Sequence, residues 1–63
     1  MSHYDYKMSQ VLAASRVPFY ALIMAALRGA DTDNYWKLSR AFPEVARELT
    51  RRYYAPGGFL PEE

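Results

Sequence analysis

A chain of 63 residues makes one domain and leaves much of its surface in water, because a domain of about 60 residues buries only about 60 % of what its unfolded chain exposes. Half of the residues are hydrophobic and a quarter charged, which excludes a disordered chain, and no cysteine is present to supply a disulfide or a thiolate metal site. Eight Lys and Arg against seven Asp and Glu give a net charge of +1, so no strong overall field draws nucleic acid or acidic lipid.

Apolar spacing predicts helices throughout. Tyr4, Met8, Val11 and Leu12 fall on one stripe of a first helix that runs from Ser2 or Tyr4 to Ala14. After Ser15 and Arg16, Pro18 suits the first turn of a second helix, where a missing N–H costs nothing. That helix is apolar at every position from Val17 to Leu27, a run of eleven residues, against about 20 for a membrane span. With no signal-peptide pattern at "MSHYDYKMSQ", a cytoplasmic protein without a membrane segment is expected.

At about 100° per residue, the second helix places Phe19, Leu22, Ile23, Ala26 and Leu27 on one broad face and Ala21, Ala25 and Arg28 behind. Two readings follow. The helix is the centre of the fold, with the first helix on one side and the later helices on the other, or its alanine face packs against a second copy in a two-fold dimer. Gly29 is placed to end it with positive φ, and Asp31, Thr32 and Asp33 are N-cap types for a third helix from about Asp33 to Ala41.

That third helix carries Tyr35, Leu38 and Phe42 on one face. Pro43 then kinks the chain or opens a fourth helix, in which Val45, Leu49 and Tyr53 repeat every four residues. Glu44 in its first turn and Arg51 and Arg52 in its last follow the order that the helix dipole favours. "APGG" stops the helix and forms a hinge. The expectation is an all-α protein, a compact bundle of three to four short helices over residues 1–55, followed by a Pro-Gly-Gly tail over residues 56–63.

Catalytic material is sparse. His3 is the one histidine and sits at a terminus; Asp31 and Asp33 read as caps in place of a calcium or magnesium site; Ser9, Ser15, Thr32, Ser39 and Thr50 have no activating base at a useful spacing. No enzyme activity, cofactor or metal is expected. The residues suited to a partner are Trp36, off the core stripe of its helix, with Arg40, Arg47, Arg51 and Tyr54; Trp and Arg are the types enriched at interface hot spots, and Arg40 is spaced to stack on the indole. Alternatively Phe59 and Leu60 of the tail fold back over Trp36. Self-association is assigned to Ala21 and Ala25.

Arg40, Arg47, Arg51 and Arg52 also form a potential phosphate-binding row for nucleic acid, although Glu44 and Glu48 interleave with it. No helix-turn-helix spacing accompanies the row. A third class of function is a structural or assembly subunit, which predicts large defined oligomers.

The segments "PFYALIMAALRGADTDN", "AFPEV" and "RYYAPGGFLPEE" together resemble a set of very small proteins of bacteriophages and bacterial mobile elements, in which an Ala-Pro-Gly-Gly segment closes the chain. The resemblance covers about the C-terminal three quarters. It implies an accessory role, in which the protein binds and blocks a host protein or regulates phage or element genes, and it transfers no functional residue. The leading expectation is a non-catalytic protein-protein interaction module.

Overall fold

The computed structural model describes all residues from Met1 to Glu63 and is all-α. Helix α1 spans His3–Ala14, α2 Phe19–Gly29, α3 Thr32–Ala41 and α4 Pro43–Tyr53, and a single 3-10 turn follows at Pro56–Gly58.

Local chemistry explains each boundary. A capping box opens α1: the Asp5 N–H donates to Ser2 Oγ at 3.2 Å and the Ser2 N–H to the Asp5 carboxylate at 3.0 Å, satisfying two amides that the helix itself leaves free. At the other end the Ser15 hydroxyl donates to the Val11 carbonyl at 2.8 Å, and Arg16 turns the chain with φ of 55°. Pro18 stands one residue before α2, in the cap position, with extended ψ of 145°. The α2 to α3 junction differs from the sequence expectation. Gly29 ends α2 without positive φ, since Ala30 leaves in an extended conformation (φ −76°, ψ 145°) and delivers Asp31 directly as the cap of α3. Asp31 accepts from the Asn34 N–H at 2.8 Å, while Asp33 lies inside α3, 3.7 Å from Lys37 one turn on. Phe42 closes α3 and opens α4, with Pro43 as the first helical residue.

Helices α2, α3 and α4 pack on one another in a three-helix cluster, and the segment after α4 packs back on α4. The cluster is thin. Only Leu27, 3 % exposed, and Leu60, 6 % exposed, are buried. Ile23, Met24, Tyr35, Leu38, Phe42, Val45 and Leu49 are half-buried around them, and Phe19 meets Phe42 edge-to-face at 5.8 Å while staying largely in water.

The reading of α2 as a layer between α1 and the later helices is corrected here. Helix α1 packs against no other element, and each of its residues is exposed. The reason is local: the left-handed Arg16 and the extended Pro18 direct α1 away from α2, so that the molecule measures 41 × 27 × 17 Å. Tyr53, expected on the stripe of Val45 and Leu49, is 70 % exposed.

Because Leu27 is the only buried side chain within the three-helix cluster, its truncation has nowhere to be compensated. Leu27→Ala is expected to lower the unfolding free energy by about 2 to 5 kcal/mol, read as a shift of the urea midpoint.

Candidate functional site

Two shallow hollows open where α3 and α4 meet. The first lies along the groove between them and is lined by Tyr35, Trp36, Ser39, Pro43, Ala46, Arg47, Thr50 and Arg51. The second, toward the end of α2, is lined by Leu27, Arg28, Tyr35, Leu49, Thr50, Tyr53 and Tyr54. Tyr35 and Thr50 line both, so the hollows form one continuous face.

This face gathers aromatic rings and cations. Trp36 is 59 % exposed and stands edge-to-face on Tyr35 at 5.8 Å, and Tyr53 and Tyr54 make a similar pair at 5.1 Å. Arg28 and Arg47 supply positive charge, and Arg51 lines the same face with its charge engaged by Glu62 at 2.8 Å. The Ser39 oxygen is shielded from solvent and has no hydrogen-bond partner, a group whose hydroxyl is left without the bond that would offset its desolvation. The face therefore combines apolar area and positive charge.

Of the residues singled out from sequence, Trp36, Arg47 and Arg51 meet in one hollow, as their helical spacing implies. Tyr54 lines the other hollow, beside Tyr53 and Arg28, one turn beyond Thr50, which both hollows share. Arg40 lines neither hollow, and the stacking partner of Trp36 is Tyr35. Sequence reasoning passed over Arg28, Tyr35 and Ser39. Arg28 carried a signal, as the single charge that ends the apolar run of α2.

The row of arginines is divided by the C-terminal segment. Arg52 donates from Nη1 to the Gly58 carbonyl at 2.8 Å, forks onto both carboxylate oxygens of Glu63 at 2.7 and 2.8 Å, and approaches Glu48 at 3.6 Å. Glu63 in turn accepts from the Leu60 N–H at 2.9 Å. Arg51 donates to Glu62 at 2.8 Å. Gly57 and Gly58, with φ of 63° and 75°, turn the chain tightly enough to bring both glutamates back along α4. Leu60 is thereby buried, whereas Phe59 points outward and Trp36 stays uncovered, so the expected cover of the indole by Phe59 and Leu60 does not form.

These pairs shift titration as the geometry requires. Hydrogen bonds from Arg52, then from the Leu60 amide, hold the Glu63 carboxyl down at about 2. Glu62 is lowered by its own backbone amide and by Arg51, and Arg52 is raised by Glu63. No group of three or more His, Cys, Asp or Glu side chains comes together in a metal-binding arrangement, and no helix is long and apolar enough to cross a membrane.

Compared with protein-family models, curated proteins and solved structures, the chain matches none.

A carboxylate whose pKa is depressed on folding stabilises the docked segment above its ordinary value of 4.5 and ceases to do so as the pH falls toward about 2. The C-terminal segment is expected to stay docked from neutral pH to about 4.5 and to release progressively below it, and Glu63→Gln is expected to weaken docking at neutral pH. Exchange of the Leu60 amide, measured against pH in both proteins, checks this.

Proposed function

We propose that this protein is a non-catalytic protein-protein interaction module whose α3–α4 face takes an acidic, partly aromatic segment of a partner protein. The observation that carries the reading is the convergence of Trp36, Tyr35, Tyr53 and Tyr54 with Arg28 and Arg47, two cations that no carboxylate pairs, on one face. Exposed tryptophan and arginine in shallow apolar depressions are the composition of interface hot spots, and uncompensated cations select an acidic partner and hasten its encounter. In line with the resemblance to small proteins of phages and mobile elements, the partner is a host protein, and occupation of its acidic segment blocks whatever else that segment binds.

Nucleic acid is the second reading, and the ion pairs weigh against it. With Arg51 held by Glu62 and Arg52 by Glu63, two of the four arginines in the row are already neutralised, and the net charge of the chain is only +1. A phosphate strand is bound by many cations in sequence and with a steep dependence on salt.

The single tryptophan reports occupancy directly. Peptides selected from a random display library against the full-length chain are expected to be rich in Asp and Glu and to shift Trp36 fluorescence to the blue on titration. Trp36→Ala is expected to weaken their binding by about 30-fold or more, as loss of about 2 kcal/mol at a hot spot implies, and Arg47→Glu is expected to weaken it further at low salt than at high. Selection of peptides with no acidic bias, or binding that leaves the fluorescence unchanged, contradicts the assignment. Retention of single-stranded DNA at low salt with loss of Trp36 emission supports nucleic acid instead.

A further inference from the structure

Helix α1 has an apolar stripe and nothing to set it against. Tyr4, Met8, Val11 and Leu12 lie along one side, each exposed, from 38 % for Met8 to 71 % for Tyr4, and no residue of α1 packs on α2, α3 or α4. Across the short Ser15–Pro18 link, α2 likewise leaves one side open, where Ala21 and Ala25 are both exposed. We propose that these two surfaces meet between molecules: the α1 stripe of one copy packs on the Ala21 and Ala25 side of α2 in a second copy, and the exchange is reciprocal about a two-fold axis.

Area decides the occupant. The chain exposes 5468 Å² for a mass of 7.3 kDa, whereas a folded monomer of that mass exposes roughly 4,200 Å². The excess, about 1,300 Å², covers the roughly 800 Å² that each partner contributes to a stable interface. Size agrees: the radius of gyration is 13.4 Å, against about 10.6 Å for a compact chain of this length.

Shape and charge point the same way. Large side chains on α1 meet methyl-sized ones on α2, which lets the helix axes come close, and a reciprocal arrangement closes on itself without leaving a free surface to propagate. Intramolecular docking is opposed by the left-handed Arg16, which turns α1 off its own α2. A lipid surface is a poor match, because Lys7 is the one Lys or Arg of α1 and Asp5 offsets it, whereas interfacial helices carry a strongly basic polar face.

Sedimentation equilibrium of the full-length chain, from micromolar to several hundred micromolar at physiological salt, is expected to show a monomer and dimer in exchange. The double variant Met8→Glu with Val11→Glu and the single variant Ala25→Arg are each expected to raise the dissociation constant about 100-fold or more. Gln10→Glu, on the far side of α1, is expected to leave it unchanged. All these positions are exposed, so an unchanged urea midpoint of the three-helix cluster, measured where the chain is monomeric, certifies an intact cluster in each variant. A wild-type chain that stays monomeric throughout overturns the proposal, as does a dimer that survives either charged variant. Binding of the monomer to vesicles of equal phosphatidylcholine and phosphatidylglycerol, abolished by the Met8 and Val11 changes, assigns the stripe to lipid and overturns it too.

Discussion

The shortage of enclosable volume governs this protein. Three helices of ten or eleven residues can surround one side chain completely, and that side chain is Leu27; the second buried group, Leu60, has to be brought in from beyond α4. Packing alone does not explain how Leu60 reaches its place, because the segment that carries it contains two glycines and is costly to order. The Arg52 guanidinium organises it, holding the Gly58 carbonyl and the Glu63 carboxylate at once while Glu63 binds the Leu60 amide. Each such bond is exposed or partly so and contributes little in isolation. Their value lies in closing a ring around one leucine, so that apolar burial and charge pairing depend on each other.

That arrangement also shapes the candidate interface. By engaging Arg51 and Arg52, the C-terminal glutamates leave Arg28 and Arg47 as the face's uncompensated cations, and they do so without covering Trp36. The face is thus moderately positive and strongly aromatic. Such a surface discriminates by shape and stacking first and by charge second, which suits a protein segment better than a uniform polyanion.

Much of the fold was legible in the sequence, because prolines, glycines and acidic caps punctuate it at short intervals: Pro43 opened α4, Asp31 capped α3, and the stripes on α3 and, short of the exposed Tyr53, on α4 gave their packed sides. The standing of α1 was not legible. A stripe such as Tyr4, Met8, Val11 and Leu12 looks the same whether it meets its own chain or another molecule, and the decision rests on one backbone angle at Arg16, a residue type that gives no hint of a left-handed turn. Trp36 could be placed off the core stripe from spacing alone. Arg52 could not be told from a phosphate ligand, since its partner lies eleven residues on, across a turn whose direction only the folded chain shows. The pairing of "RR" with "EE" around a glycine turn is a signal of opposite charge, but it does not specify which arginine meets which glutamate.

The capping box of α1 has a consequence for how the molecule melts. A twelve-residue helix is marginal in water on its own, and here Ser2 and Asp5 supply support that in the other helices comes from neighbours. Helix α1 and the three-helix cluster therefore unravel as separate cooperative units within one copy, the first at a cost set by local hydrogen bonds and the second by Leu27 and Leu60. Loss of helical ellipticity on heating is then a sum of two transitions, and no single melting temperature describes an isolated copy.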